Sequence, residues 1–178
     1  MSDILDELPN LRHLLTTLPL FTAHGGLAQG DFAPTRIEFE ARFVMTPNAK
    51  RLQIYDGWND HRAALLADGL TPDSRQLLNG SYTTVKSEPG DVDLAVEIPL
   101  SSSQPLPRPD QPVVRLLLGP RMKPRFNCDA YPIYVLPVSH VNYQRITVAA
   151  VRYWTKWFGT DRSGNPKGRV WAATGGMI

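Results

Sequence analysis

Residues 78–94 contain two strand patterns on either side of a glycine turn and read Leu78-Asn79-Gly80-Ser81-Tyr82-Thr83-Thr84-Val85-Lys86-Ser87-Glu88-Pro89-Gly90-Asp91-Val92-Asp93-Leu94. The segment 76–79 before the turn predicts a short buried strand. Residues 91–98 are rich in β-branched side chains, alternate between polar and apolar, and stop at Pro99. This second pattern predicts another strand.

Two acidic residues of the second strand are expected to share a face. Successive strand side chains point to opposite faces, so Asp91 and Asp93 project together while Val92 and Leu94 point into the core. The two Cα atoms would lie about 7 Å apart, a spacing at which two carboxylates can share a hard divalent cation. Mg²⁺ favours a few carboxylates together with substrate phosphates and water.

The turn before this strand supplies groups suited to phosphate. Gly80 permits close approach of the backbone, and Ser81 offers hydroxyl and N–H donors. Taken alone, Gly-Ser after a strand is most often a simple turn, and Asp-x-Asp is usually a solvated face. Both occur here, separated by nine residues and with an apolar residue on each side of Asp93, which favours a nucleotide and metal site.

The arrangement of Gly80-Ser81, nine residues and Asp91-Val92-Asp93-Leu94 resembles the signature of the DNA polymerase β-like nucleotidyltransferase superfamily. That signature is Gly-Ser, a spacer, then Asp-h-Asp-h, where h is apolar. The chain is also similar to a small bacterial family of nucleotidyltransferase-like proteins, through residues 39–43 with the Arg-containing helix after them, and through residues 158–168. The resemblance covers roughly residues 35–172.

The resemblance implies that three carboxylates act together. Asp91 and Asp93 would hold the metal ions, and a third carboxylate would join them and help to deprotonate the acceptor hydroxyl. Asp129 is the candidate, because it lies on the polar side of an alternating segment, 36 residues after Asp93. The alternative is an aspartate that is hydrogen-bonded locally. If Asp129 is structural, Glu97 is the next candidate.

The same resemblance implies contacts to the nucleotide. Gly80 and Ser81 would hold the β- and γ-phosphates while the α-phosphorus is attacked. Lys86, in the spacer, is either a phosphate contact or a solvated loop lysine. Arg162 and Lys167 flank a turn, where they either close over the nucleotide or form the polar ends of a hairpin.

The remaining patterns predict an α+β (mixed α/β) domain, with a small mixed sheet and helices packed against it. Thr35 and Glu38 have capping-box spacing, which favours a short helix over 35–43. Thr46 and Pro47 are expected to begin a longer helix that Gly69 ends. Further predicted elements are a short helix at 112–118, a strand at 125–136, a helix at 142–158 and a strand at 168–173. We expect an N-terminal extension over 1–34 and a nucleotidyltransferase-like domain over 35–178.

Aromatic and basic residues of the second half allow two interpretations. In the predicted 142–158 helix, Tyr153, Trp154 and Trp157 fall in an apolar stripe, which we expect to face the core rather than to stack on bases. A basic run lies beside the predicted Asp129 strand and consists of Arg115, Arg121, Lys123 and Arg125. For this run a solvated surface is favoured over a nucleic-acid acceptor site.

Composition excludes several classes of site. The chain has 178 residues, a net charge of +2 and a single cysteine, Cys128, so an internal disulfide and a cysteine-based zinc site are excluded. The longest uncharged stretch, residues 13–30, contains Pro19 and several glycines, and no membrane span is expected. The acidic start differs from a secretory signal, so we expect a cytoplasmic location.

Together with the resemblance, these patterns lead us to expect a Mg²⁺-dependent (or Mn²⁺-dependent) nucleotidyltransferase. It would move a nucleoside monophosphate from an NTP to a hydroxyl of RNA, a protein or a small molecule. The alternative is a non-catalytic module of the same fold that binds a protein or nucleic-acid partner. The two differ because only the enzyme needs three carboxylates that converge around a metal ion.

Overall fold

A computed structural model describes residues 11–45 and 48–177 and has a five-stranded mixed sheet with helices on both faces. The strands are β1 (Asp31–Phe32), β2 (Arg75–Asn79), β3 (Val92–Pro99), β4 (Cys128–Val135) and β5 (Arg169–Ala173). The α-helices in these ranges are α1 (Arg36–Phe43), α2 (Ala49–Ala67), α3 (Pro112–Arg115), α4 (Lys123–Phe126) and α5 (Ala149–Phe158). The predicted α+β class is confirmed.

The sheet has the strand order β1-β5-β2-β3-β4. Strand β2 is antiparallel to both of its neighbours, whereas β3 and β4 are parallel. The end of β2 therefore lies at the same edge of the sheet as the starts of β3, β4 and β5. The two strands predicted around the glycine turn pair directly, with Asn79 opposite Asp93.

Each face of the sheet has its own hydrophobic core. One face packs β3 residues such as Val92 and Leu94 against Phe39 of α1 and Trp58 of α2. The other face is covered by α5, and its buried residues are Ala33, Leu77, Ala95, Ile133, Val151, Phe158 and Trp171. Alternation along β3 places Asp93, Ala95 and Glu97 on this second face.

The first two helices are capped by side chains, as helix ends require. Thr35 caps α1, and its hydroxyl accepts a hydrogen bond from the Glu38 N–H at 3.2 Å, which confirms the capping interpretation. Asn48 caps α2, while the predicted cap Thr46-Pro47 lies outside the described residues. Gly69 follows α2 with φ +95°, as predicted for the end of that helix.

No helix in the described ranges is long and apolar enough to cross a membrane.

Residues 11–34, the described part of the predicted N-terminal extension, pack against the sheet and its core. Strand β1 pairs in parallel with β5, and the Asp31 carboxylate accepts hydrogen bonds from Arg169 and Trp171 at 2.5–2.7 Å. Leu18 and Leu27 are buried in the core beneath the sheet. These residues close one end of the sheet.

The strand predicted over 125–136 is wrong at its start. Residues 123–126 form α4, and Asn127 ends it in the left-handed conformation with φ 51°. The Asn127 N–H donates to the Lys123 carbonyl at 2.9 Å. Asparagine tolerates this conformation better than most residues, so it serves as a helix end where the alternating pattern suggested a strand. From Cys128 onward the predicted alternation is correct.

The core stripe predicted for the 142–158 helix is also wrong in part. Residues Gln144–Val148 form a π-helical turn before α5, and its wider winding shifts every later side chain around the helix axis. Val148, Val151 and Phe158 are buried, while Tyr153 and Trp157 are 57% and 65% exposed. Of the predicted stripe, Tyr153 and Trp157 therefore face solvent, whereas Trp154 packs against the core on the sheet face that α5 covers.

Candidate active site

The ends of four strands meet at one edge of the sheet and bring the predicted site residues together. Asn79 and Gly80 lie at the end of β2, Asp93 near the start of β3, and Asp129 near the start of β4. Lys167 lies two residues before β5. Residues that are far apart in the sequence thus share one edge because β2 is antiparallel to its neighbours.

Asp93 and Asp129 are direct neighbours in the parallel pairing of β3 with β4. Asp91 lies immediately before β3, on the same side as Asp93 by alternation. Burial, Asp91 and Asp129 raise the pKa of Asp93 to about 6. Burial and Asp91 also raise the pKa of Asp129. Three carboxylates held this close repel one another, and a cation is what relieves that repulsion.

One oxygen of Asp129 lacks a partner. Its Oδ1 atom is buried and accepts no hydrogen bond from any described residue. An unpaired buried carboxylate oxygen is costly and calls for a ligand or proton. The interpretation of Asp129 as a locally hydrogen-bonded aspartate therefore has no support at this atom.

A lysine already binds part of the cluster. The Lys123 Nζ atom lies 2.5 Å from Asp91 Oδ2. Lys123 begins α4, the short helix that leads into β4, and the start of β4 lies beside the start of β3. Within residues 11–45 and 48–177, no three acidic, histidine or cysteine side chains are arranged as a ready metal site. The Asp91 carboxylate would have to exchange its ammonium partner for a metal ion.

Gly80 is shaped for Asp93. It has φ +81°, in the left-handed region that favours glycine. A Cβ atom at this position would overlap Asp93 Oδ2. The missing Cβ therefore leaves space for the Asp93 carboxylate, and the glycine does not serve only the approach of a phosphate. The Gly80 N–H donates to Asn79 Oδ1 at 2.7 Å.

Lys167 is hydrogen-bonded to the glycine turn. It is only 5% exposed, and its Nζ donates to Asn79 Oδ1 at 2.7 Å and to the Gly80 carbonyl at 2.6 Å. Burial lowers the pKa of Lys167 to about 8, and the nearby Asp93 carboxylate opposes that shift. Asn79 in turn donates to the Phe158 carbonyl at 2.6 Å, which ties the turn to the end of α5.

Arg162 lies on an ordered loop near Asp93. The Asp161 carboxylate accepts hydrogen bonds at 2.8 Å from the backbone N–H groups of Ser163 and Asn165 and from the Asn165 side chain. This arrangement fixes the loop that presents Arg162. Arg162 is exposed, and its positive charge opposes the rise in the pKa of Asp93.

The spacer between the two motifs is held by a buried arginine of α2. The Arg51 guanidinium donates to the carbonyls of Tyr82, Thr84 and Lys86 at 2.6–2.9 Å and to the Phe43 carbonyl at 3.0 Å. The Lys86 side chain is exposed, and it is the backbone of Lys86 that contacts Arg51.

Ser81 directly follows the glycine turn, and Glu97 lies apart from it. Ser81 is half-buried and its carbonyl accepts from the Thr84 hydroxyl at 2.7 Å. Glu97 is buried farther along β3 and binds the Arg75 Nε atom at 2.6 Å. The structure therefore brings Asp91, Asp93 and Asp129 together but leaves Glu97 outside the cluster.

Comparison with known proteins identifies a family. A family model described as a family of unknown function, DUF6932, matches residues 19–172. The chain belongs to DUF6932. No curated protein and no solved structure matches it significantly. The DUF6932 match includes the glycine turn, the three aspartates and the loop with Arg162 and Lys167.

Sequence reasoning missed three residues of this DUF6932 site. The sequence pattern assigns Asn79 only to a strand, indicates no role for Arg51 and favours a solvated surface for Lys123. A buried asparagine before Gly-Ser was a detectable signal, because its amide must find partners. Lys123, at the start of α4, is the counter-charge to Asp91; its place six residues before Asp129 was the available signal.

Proposed function

We propose that this protein is a Mg²⁺-dependent (or Mn²⁺-dependent) nucleotidyltransferase. One observation supports the proposal most strongly: Asp93 lies in register with Asp129 and against the left-handed turn at Gly80. This arrangement places acidic groups suited to a metal beside a turn suited to phosphate. Asp91, Asp93 and Asp129 would hold the ion, which when bound supplies charge stabilisation for the attacking and leaving oxygens.

The chain's own residues would do the rest. The acceptor hydroxyl oxygen attacks the α-phosphorus, the bond from that phosphorus to the β-phosphate oxygen breaks, and pyrophosphate leaves. The hydroxyl proton passes to Asp129, whose buried Oδ1 atom has no hydrogen-bond partner among the described residues. Ser81 is the donor to the phosphates, and Arg162 and Lys167 provide positive charge near Asp93.

The Lys123–Asp91 ion pair favours a second candidate. A lysine that neutralises Asp91 can replace a cation permanently, as a non-catalytic module would need. Such a module would keep the fold and bind a protein or nucleic-acid partner. The two candidates differ in whether a divalent ion displaces the ammonium.

Transfer assays on two aspartate variants test the proposal. Asp129→Asn should bind Mg²⁺-NTP almost normally yet transfer at least about 10²-fold more slowly, because a base is needed for chemistry more than for binding. Asp93→Asn should lose both binding and transfer. Binding is measured by calorimetry, and transfer by following label from each α-labelled NTP into cell RNA or protein.

The matched control is Asp110→Asn, which removes an exposed carboxylate paired with Arg108 at 3.7 Å. It should bind and transfer as the wild type does. Transfer at the wild-type rate by Asp129→Asn would make Asp129 structural. No Mg²⁺-NTP binding and no transfer by the wild type would favour the non-catalytic module.

A further inference from the structure

An aromatic surface begins at the candidate active site and continues along α5. Tyr131 lies two residues after Asp129 on the same face of β4, and the aspartates of the site raise its pKa, after burial as the larger cause. The Tyr131 ring packs against Trp154 with 4.8 Å between centroids. Trp154 meets Tyr153 at 5.0 Å, so one row of rings leads away from the carboxylates.

The outer end of this row is open to solvent. Tyr153 and Trp157 are stacked with an interplanar angle of 5° and centroids 6.3 Å apart, and they are 57% and 65% exposed. The two rings contact each other and so form one contiguous exposed apolar patch, a feature typical of interaction surfaces. The spacing of four residues places both rings on one side of the helix.

Positive charge accompanies the rings. Arg152 and Lys156 each precede one of the exposed aromatic residues, and both are exposed on α5. Arg145 is exposed on the π-helical turn before the helix. The sequence from residue 130 to residue 160 contains no aspartate or glutamate. The face is therefore aromatic and cationic, and residues 130–160 add no acidic charge to it.

We propose that this face of α5 binds the acceptor as single-stranded nucleic acid, an inference that rests on the proposed nucleotidyl transfer. Bases stack on aromatic side chains because every base has a π-face, and cations alongside them contact the phosphates. The row of rings ends at Tyr131, next to Asp129. A strand lying along it would bring its terminal hydroxyl to the carboxylate that takes the proton.

Single-stranded oligonucleotides of about ten bases, within the range of typical site sizes, test this surface directly. The full-length protein is titrated into fluorescently labelled RNA, and anisotropy is followed without NTP. The double variant Tyr153→Ala with Trp157→Ala should bind at least about ten-fold more weakly, because stacking contributes strongly for each base. Trp157→Phe keeps a ring and should retain most of the affinity.

Two further variants separate stacking from charge and from general loss of apolar surface. Lys156→Gln should reduce the slope of log affinity against log salt by about 0.7, the value for one phosphate contact on a single strand. Ile37→Ala removes an apolar side chain that is 81% exposed on α1 and should leave binding unchanged. A parallel titration with DNA of the same sequence shows whether the 2′-hydroxyl is recognised.

The possible results distinguish failure of this inference from failure of the proposed function. If the wild type binds Mg²⁺-NTP but neither RNA nor DNA, the acceptor assignment is overturned and transfer to another hydroxyl remains. If oligonucleotides bind but Mg²⁺-NTP does not, the surface is supported and the transferase is overturned. If the double variant binds oligonucleotides as tightly as the wild type does, this face is not the acceptor site. The same conclusion follows if the wild type binds no oligonucleotide and is a dimer that the double variant converts into a monomer.

Discussion

A single glycine determines whether the Asp93 carboxylate can occupy its place. The left-handed backbone at Gly80 costs an L-residue roughly 1–2 kcal/mol, and the added Cβ of any other residue would overlap Asp93 Oδ2. Gly80→Ala should therefore displace Asp93 and abolish Mg²⁺-NTP binding by calorimetry. Thermal unfolding should show only a modest loss of stability, because the displaced group is one side chain at the rim of the sheet.

Gly69→Ala is the matched control for this substitution. Gly69 also has a left-handed φ, +95°, yet no atom lies within 4 Å of the position that its Cβ would take. The variant should pay the same backbone cost and still bind the nucleotide. Normal binding by Gly80→Ala would show that Asp93 tolerates the intruding methyl group and that the glycine has no functional role.

At the residue scale, the sequence predicted the motif but not how its parts contact. The Gly-Ser and Asp-x-Asp pattern placed the turn and the carboxylates correctly on the ends of strands. It attributed Gly80 to phosphate approach, whereas the structure shows Asp93 in the space of the missing Cβ. Such a contact depends on the pairing of Asn79 with Asp93 across two strands, and local spacing does not contain that information.

At the scale of elements, Arg51 links α2 to the spacer between the two motifs. The side chain is 4% exposed and its guanidinium donates to four carbonyls, those of Phe43, Tyr82, Thr84 and Lys86. Arg51→Met keeps much of the volume but leaves the buried carbonyls unpaired, at about 1–3 kcal/mol for each. We expect a loss of about 3 kcal/mol or more in the free energy of unfolding, measured by urea denaturation.

The neighbouring Lys50 provides the control for this prediction. Its ammonium donates to Gln53 at the surface, so Lys50→Met should change stability by less than about 0.5 kcal/mol. Hydrogen exchange should also speed up at residues 82–86 in Arg51→Met alone. An unfolding midpoint equal to that of the wild type would mean that the spacer does not depend on Arg51.

The elements differ in how well local patterns predict them. The short helix at 35–43 and the strand at 91–98 were predictable, because a capping box and a period of two are local signals. The orientation of α5 was not, because the π-helical turn over Gln144–Val148 changes the phase of the side chains. That turn is fixed by Thr147, whose hydroxyl accepts from the Leu136 N–H and donates to the Tyr134 carbonyl at 2.9 and 3.1 Å. These are contacts with the end of β4, outside the helix pattern.

At the scale of the whole molecule, the acidic cluster reduces stability as the pH rises. Asp93 has a pKa of about 6 in the folded protein, against 3.8 as its ordinary value. Between these values the folded state keeps a proton that the unfolded state releases, so stability falls as the pH rises from about 4 to about 6. The loss amounts to roughly 2–3 kcal/mol at 1.36 kcal/mol per unit.

His61 acts in the opposite direction over the same interval. Burial lowers its pKa to about 4, so the unfolded state binds the extra proton there and stability rises with pH. Both the wild type and Asp93→Asn contain His61, so its contribution cancels when their free energies of unfolding are subtracted. In urea denaturation, Asp93→Asn should equal the wild type near pH 4 and exceed its stability by roughly 2 kcal/mol at pH 7.

A divalent cation should reverse this loss in the wild type only. At pH 7 the carboxylates are charged, and Mg²⁺ or Mn²⁺ that binds only the folded state raises Tm. At pH 5 protons compete with the metal and the gain should be smaller. Asp91→Asn with Asp93→Asn should abolish the gain at both pH values.

Since Lys123 holds Asp91, Lys123→Gln should increase the metal-induced shift in Tm by removing the competing ammonium. An unchanged shift in the double aspartate variant would place the metal elsewhere and leave the three carboxylates without their assigned ion.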